Sequence, residues 1–358
     1  MPIAGIGPSA YGSDMTTTIR NLDPVTVWGA GAMGGSIGAW LKRAGRDVHF
    51  VDADAAHVAA IQEQGLRITG PVDAFTVRAP AALPAEVRPG LGTVLLAVKA
   101  HHTDNALDEL APLLATDGFV VSVQNGLNER TIAARVGDAR TVGCFVNFGA
   151  DVMEPGVIQR GNRGAVVVGE LDGARTERIE AVHELFRLFE PEAVLTDNIW
   201  GYLWGKLAYG SLLFATALAD ASIADVLASE RHRPILIELG REVMRVAWAR
   251  GVRPEGFDGF DPTAFAPEAS TTDATASLDR LVGFNRKSAK SHSGVWRDLA
   301  VRKRKTEVDA QIAPIAALGT EAGVDTPLVR RLVDLIHDVE EGRRPQAWET
   351  VDALMTRA

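Results

Sequence analysis

Val25-Thr26-Val27-Trp28-Gly29-Ala30-Gly31-Ala32-Met33-Gly34 is the stretch from which the rest of this chain is read. Val25 to Trp28 is a short apolar run of strand type, and it ends in a glycine-rich turn. A helix-like stretch over 36–43 follows, then Gly45, then a second apolar run over 48–51 that closes on Asp52. Strand, glycine-rich turn, helix, strand and acid is the order that a dinucleotide-binding βαβ unit requires. Gly29 permits the tight turn off the strand, and Gly31 lets the backbone come close to a pyrophosphate. Gly34 allows the helix to pack on the sheet, and the helix N-terminus offers N–H groups and partial positive charge to the anion. Ala30, Ala32 and Met33 complete the expected cofactor turn. A bare GxGxxG would be weak evidence; here the strand, the helix and the distal acid stand at the right spacing.

Asp52 refines the reading. A carboxylate at the end of the second strand accepts hydrogen bonds from a ribose 2′-OH and repels a 2′-phosphate. Its neighbours are Val51, Ala53, Asp54 and Ala55, so two acids, Asp52 and Asp54, stand here with no base beside them, which favours NAD over NADP. The alternative is that Asp52 caps the following helix.

The totals bound the rest. The chain has 358 residues, 46% of them hydrophobic, enough for two domains of ordinary size. A net charge of −9 argues against a nucleic-acid or anionic-membrane surface. One cysteine, Cys144, excludes an intramolecular disulfide and a cysteine-based metal cluster and fits a reducing cytoplasm; in its apolar surroundings it reads as a small buried hydrophobe. No apolar run is long enough to span a membrane, and the first twenty residues lack the basic start and apolar core of a signal peptide. Residues 1–21 read as a disordered extension.

Further on, 55–64 reads as a helix stopped by Gly65, and 66–77 as a hairpin broken at Gly70-Pro71. Residues 93–98 and 119–123 are unbroken apolar runs, the pattern of buried parallel strands. They deliver Lys99 and Asn125 at their C-terminal ends, the edge of an open α/β sheet where ligands bind. A solvated loop lysine and a plain Asn125-Gly126 turn are the alternatives; His101 and His102 read as loop residues rather than metal ligands. A helix is expected over 105–114 and another over 177–189, and 142–147, 165–168 and 194–195 continue the sheet. From Asp197 strand-like runs give way to helical patterns, so the boundary falls between a first domain, 22–196, and a second, 197–358. Lys206 is anomalous in its apolar helix: burial would lower its proton affinity toward acid–base work, and snorkelling to solvent is the alternative. Residues 254–276 read as a loop, 295–309 as a continuing helix whose four bases Arg302 to Lys305 form a solvated face, and 328–342 as the last long helix.

These pieces resemble the ketopantoate reductases (2-dehydropantoate 2-reductases), members of the wider 6-phosphogluconate dehydrogenase-like group. The carriers are the GAGAMG turn, Val98-Lys99-Ala100, Gln124-Asn125-Gly126, Trp204-Gly205-Lys206-Leu207, Ser293 with Asp298, and Thr306-Glu307-Val308-Asp309. The resemblance implies a Rossmann α/β domain followed by an all-α C-terminal domain, with the active site in the cleft between, and a homodimer. It makes Lys206 the general acid that protonates a carbonyl oxygen as hydride arrives. Glu307 would hold a substrate hydroxyl and keep Lys206 charged, while Lys99 and Asn125 would line the nicotinamide end and orient the substrate. Three departures stand out. The family's reductases mostly prefer NADPH and carry a basic residue where this chain has Asp52. The asparagines usual four and eight residues after the lysine are Gly210 and Phe214 here, and paired serines before the Asp become Ser293-Gly294. Asp298 to Glu307 is also one residue longer than usual. The catalytic pair is kept and the substrate contacts are changed, so the expectation is an NAD-linked carbonyl/alcohol oxidoreductase with a substrate bulkier or more apolar than ketopantoate, seated near Phe214. The alternatives are an ordinary ketopantoate reductase and a non-catalytic NAD sensor.

Overall fold

The computed structural model describes residues 22–287 and 291–356, so the expected extension at 1–21 lies outside the described residues, as does part of the polar stretch at 288–290. The chain divides into two compact units. Among the described residues, the first takes in 22–98, 102–124 and 128–199; the second takes in 99–101, 125–127, 200–287 and 291–356.

The strands of the first unit are β1 (Val25–Trp28), β2 (Val48–Val51), β3 (Leu66–Thr69), β4 (Phe75–Val77), β5 (Ala81–Ala82) and β6 (Leu91–Leu96), then β7 (Leu114–Ser122), β8 (Thr141–Val146), β9 (Ala150–Glu154), β10 (Val157–Arg160), β11 (Val166–Glu170) and β12 (Val194–Leu195). Eight form one sheet in the order β12-β11-β8-β7-β6-β1-β2-β5. Pairing is parallel from β5 through β8, and β11 runs antiparallel to β8. Val25, Val27, Val94, Leu95, Val120 and Val121 are fully buried, which explains apolar runs without alternation: helices or a second layer cover both faces. After β1 the chain adds β2 on one side and then crosses to place β6 on the other. The strand order therefore reverses at β1, where open α/β sheets bind ligands.

The first helix is Ala32–Arg43, four residues longer at its start than the pattern indicated. Gly31 is its extended N-cap (φ −67°, ψ −159°), so the glycines at 34 and 35 belong to the helix rather than to the turn. The helix expected over 105–114 is Thr103–Leu110 with a 3-10 turn at Ala111–Leu113, because Pro112 has no N–H with which to continue it. The expected hairpin is β3–β4, with Gly70 at φ +116°. It belongs to a second sheet, β4-β3-β10-β9, which the sequence did not reveal. Residues 150–160 form the β9–β10 hairpin, and β10 pairs parallel with β3.

Among the described residues, no strand follows Asn198; an isolated bridge joins Phe257 and Phe260. Helix Ile199–Thr216 is apolar on nearly every side because it is core: Leu203, Trp204, Leu207, Ala208 and Leu212 are all buried. Gly205 is dictated by packing, since a Cβ there would lie 2.3 Å from the Glu255 carbonyl oxygen. Three expectations change. Thr271–Lys287 is helical, so the loop ends at Ser270 rather than at 276. The helix expected through 309 stops at Ala300 and resumes at Val308–Gln311, with Lys303 left-handed (φ +48°) between them. Pro327–Glu340 is followed by a further helix, Trp348–Met355.

Candidate active site

In the first unit the glycine-rich turn leaves β1 with the Gly29 N–H donating to the Val51 carbonyl at 2.8 Å. Gly29 is left-handed (φ +99°), and a Cβ there would lie 2.7 Å from the Val98 nitrogen. A Cβ at 34 would lie 2.1 Å from the Gly29 oxygen and 2.7 Å from the Ala97 Cβ. Both positions are glycine for the fold's sake. Gly31 is different: a Cβ there would meet nothing within 4 Å. Glycine at 31 leaves clear space directly before a helix N-terminus, the cradle that a pyrophosphate fits. Ala30 is buried, and Ala32 and Met33 are half-buried at the mouth of that helix.

Asp52 follows β2 and is half-buried. Its Oδ1 accepts the Asp54 N–H at 2.9 Å. The helix Ala55–Gln64 is capped by Asp54, which accepts from the Ala56 and His57 N–H groups, so capping does not explain Asp52. His57 was not singled out from the sequence. Its imidazole is buried, with Nε2 3.0 Å from the Ala30 carbonyl and Nδ1 accepting from the Gly156 N–H at 3.0 Å. Gln124, part of the Gln124-Asn125-Gly126 motif but given no role from the sequence, is buried and donates to the Val98 carbonyl at 2.9 Å and to Thr103 Oγ1 at 2.8 Å. Thr103 in turn donates to Asn128 Oδ1 at 3.0 Å, a chain that ties together the loops after β6 and β7.

The second unit holds Lys99, Lys206, Asp298 and Glu307. Lys99 Nζ lies 3.5 Å from Asp298 Oδ2 and 3.9 Å from Glu307 Oε2. Glu307 Oε1 also accepts the Ala100 N–H at 2.9 Å. Asp298, 9% exposed, further accepts from Arg302 and Arg304 at 2.9 Å each. Two of the four bases read as a solvated face are therefore drawn in by Asp298, which the break in the helix permits; a buried carboxylate needs such compensation. Glu307 was expected to steady Lys206, and its partner here is Lys99. Lys99 is thus no free loop lysine.

Lys206 is half-buried rather than fully enclosed by its apolar neighbours. Tyr209, one turn on, packs at 5.9 Å and 5.4 Å from the rings of Phe257 and Phe260. Burial pushes its phenol above the ordinary value, and a hydrogen bond with Asn285 opposes the shift. A Cβ at Gly210 would meet nothing within 4 Å, so the space after Lys206 is open. Phe214, expected in a pocket wall, is 2% exposed and belongs to the core. Ser293, expected on the substrate, is the N-cap of Gly294–Ala300 and accepts the Trp296 N–H at 3.1 Å. Asn125 is half-buried, and Gly126 beside it is left-handed (φ +99°), as the turn reading of this pair requires. His101 and His102 are exposed, and among the described residues no group of three His, Cys, Asp or Glu could hold a metal ion.

An α/β unit with a dinucleotide turn, followed by a helical unit carrying a lysine and paired acids, defines a nicotinamide-dependent oxidoreductase. The chain belongs to the ketopantoate reductase family: residues 25–173 match Ketopantoate reductase PanE/ApbA, and 198–340 match its C-terminal part. A 2-dehydropantoate 2-reductase of Mesorhizobium japonicum is 28% identical over 338 residues, covering 87% of this chain and 96% of the relative. That of Pyrococcus horikoshii is 29% identical, covering 85% and 93%. A PanE/ApbA family ketopantoate reductase from Ralstonia eutropha superposes with a TM-score of 0.75 at 25% identity, over 89% of this chain and 99% of the other. A D-mandelate dehydrogenase complexed with NADH and anilino(oxo)acetate shares the fold at a TM-score of 0.77 and 21% identity, over 89% and 98%. No described helix is long and apolar enough to cross a membrane.

Proposed function

We propose that this protein is an NAD-linked oxidoreductase that interconverts a small carbonyl compound and its alcohol, with a substrate larger or more apolar than ketopantoate. Asp52 carries the cofactor preference: its carboxylate directly follows β2, and no lysine or arginine stands within three residues on either side to receive a 2′-phosphate. The nicotinamide ring supplies or accepts the hydride when bound. Lys206 gives the proton to the carbonyl oxygen, or receives it in the oxidative direction, and its charge offsets the alkoxide that develops. Glu307, fixed by the Ala100 N–H and Lys99, is the acceptor for a substrate hydroxyl. Asn125 and Lys99 orient the substrate. The open space at Gly210 and the aromatic group of Tyr209, Phe257 and Phe260 support a bulkier substituent, in place of Phe214. The NADH-bound D-mandelate dehydrogenase is a precedent within the fold for such a substrate. A homodimer in the cytoplasm belongs to the same reading and rests on the resemblance.

The curated relatives favour a second reading, an ordinary 2-dehydropantoate 2-reductase. Nicotinamide absorbance with ketopantoate and with an aryl 2-oxo acid, each run with NADH and NADPH, separates the two. Turnover of the aryl substrate with NADH supports the first; brisk NADPH oxidation with ketopantoate alone overturns it. Saturable NADH binding with no turnover on either would instead point to a sensor. Lys206→Ala is expected to lose at least about a hundredfold in kcat with NADH affinity kept, the scale of a lost general acid; near-normal turnover would remove Lys206 from the mechanism.

A further inference from the structure

We propose that His57 is the positioning residue of the glycine-rich turn, setting the direction of the Gly31 N–H through the Ala30 carbonyl. The proposal rests on the reading of this turn as the dinucleotide site. The Gly156 N–H can only donate, so the Nδ1 that receives it carries no proton. Nε2 therefore bears the hydrogen and donates to the Ala30 oxygen at 3.0 Å. Both ring nitrogens are used, and the neighbouring backbone selects one neutral tautomer.

The consequence follows from peptide geometry. The Ala30–Gly31 peptide is planar and trans, so its carbonyl and its N–H point to opposite sides. With the Ala30 carbonyl held toward His57, the Gly31 N–H is held away from it. The same carbonyl is confined on another side by helix Ala32–Arg43, where a Cβ at Gly35 would lie 2.4 Å from its oxygen. A carbonyl pinned between an imidazole and a helix glycine cannot flip freely. The donor on its far side is thus preorganised for an anion, at the position where a missing side chain leaves space. The other end of the imidazole rests on the β9–β10 turn, where Gly156 is left-handed (φ +76°) and its carbonyl accepts the Arg67 N–H at 2.9 Å. The second sheet is thereby a buttress for the cofactor turn.

Two amides separate positioning from packing. In His57→Gln the amide nitrogen reaches the place of Nε2 and restores the donor to Ala30. In His57→Asn the amide oxygen reaches the place of Nδ1 and keeps only the Gly156 bond. Binding of ADP-ribose, which carries the pyrophosphate, and of adenosine, which lacks it, is measured by calorimetry beside the melting temperature. His57→Asn is expected to weaken ADP-ribose by about 5- to 30-fold, the span of one lost hydrogen bond, and adenosine by less than about 2-fold. His57→Gln is expected to return ADP-ribose to within about 3-fold of wild type while melting no higher than His57→Asn. Equal weakening by the two variants, or an adenosine loss as large as that of ADP-ribose, overturns the proposal. Wild-type protein that binds neither NADH nor ADP-ribose overturns the site reading itself.

Discussion

Gly31 and Gly34 stand three positions apart and answer to different demands. A side chain at 34 collides with the Gly29 carbonyl and the Ala97 methyl, so Gly34→Val must push the helix off the sheet. Overpacking of this kind costs about 1–3 kcal/mol or more, read as a drop in melting temperature. A Cβ at 31 meets nothing within 4 Å. Gly31→Val is therefore expected to keep the melting temperature within about 2 °C of wild type and to weaken NADH at least tenfold, a small shift at a site where the fold is unstrained. A variant that melts early, or that binds NADH normally, would show that the space at 31 has another use. The turn at Gly29 and the packing contact at Gly34 were legible from the motif, because glycine spacing encodes both. Asp52 was legible as the acid that follows β2, and the Asp54 cap removes its rival role at the start of the next helix. His57 was not: nothing in an isolated helical histidine says that its two nitrogens will find carbonyl 30 and amide 156. Phe214 and Ser293 misled for the opposite reason, since helical phase and chain order locate a residue without saying whether core or cap will claim its side chain.

Helix ends in the second unit show how elements recruit side chains from one another. The helix Pro327–Glu340 opens without a cap of its own, and the N–H groups of Leu328 and Val329 are taken by Glu242, from helix Arg233–Ala249, at 3.0 and 2.9 Å. This carboxyl is 2% exposed, and burial raises its pKa above the ordinary 4.5, partly opposed by those two N–H bonds. The folded state thus holds the Glu242 proton to higher pH than the unfolded chain does. Between 4.5 and the raised value its contribution to stability falls as pH rises. Glu242→Gln cannot titrate and turns one acceptor into a donor. It is expected to flatten that part of the stability–pH curve and to cost about 1–3 kcal/mol at pH 5 in urea unfolding; an unchanged slope would assign the dependence to other groups. The terminal helix Trp348–Met355 is held in a comparable way, by Arg231 and His232 on Asp352 at 2.8–3.0 Å. Ser229 completes a Ser–His–Asp chain at 2.7 Å beside a cavity of about 330 Å³. It is a tether rather than a hydrolytic triad: Arg231 occupies both Asp352 oxygens, and the N–H groups of His232 and Arg233 are spent on the Ser229 carbonyl. The sequence pattern missed this helix because it is only two turns long and follows a Gly-Arg-Arg-Pro stretch that reads as an ending.

At the scale of the whole molecule, the α/β-then-helical order was legible because period-two and unbroken apolar runs stop near Asp197 and helical periods take over. The four-stranded second sheet was not, because its central pairing joins β3 to β10, some ninety residues apart in sequence, and β9 is largely exposed. What anchors that sheet is a residue no hydropathy argument places inside a core. Arg160, the last residue of β10, is fully buried, its guanidinium 4.1 Å from the Phe189 ring centroid, 4.5 Å from Trp40 and 5.2 Å from Phe148. It pairs with Glu190 at 3.2 Å, and Glu190 also receives Arg163 at 2.9 Å. Burial lowers the Arg160 pKa to about 10, with Glu190 opposing the shift, so the group is still charged at neutral pH. Removing one member of such a buried pair strands the other, at about 3–5 kcal/mol, whereas replacing both by apolar groups is often near neutral. Arg160→Ala is expected to cost that much, with amide exchange in β10 and β3 accelerating before the parallel sheet is affected. Arg160→Met combined with Glu190→Leu is expected to recover most of the loss, because the three rings accept a thioether as readily as a cation and no carboxylate remains to be compensated. If the single variant costs less than about 1 kcal/mol, the aromatic box is holding the sheet through packing alone, and Glu190 is being satisfied by Arg163.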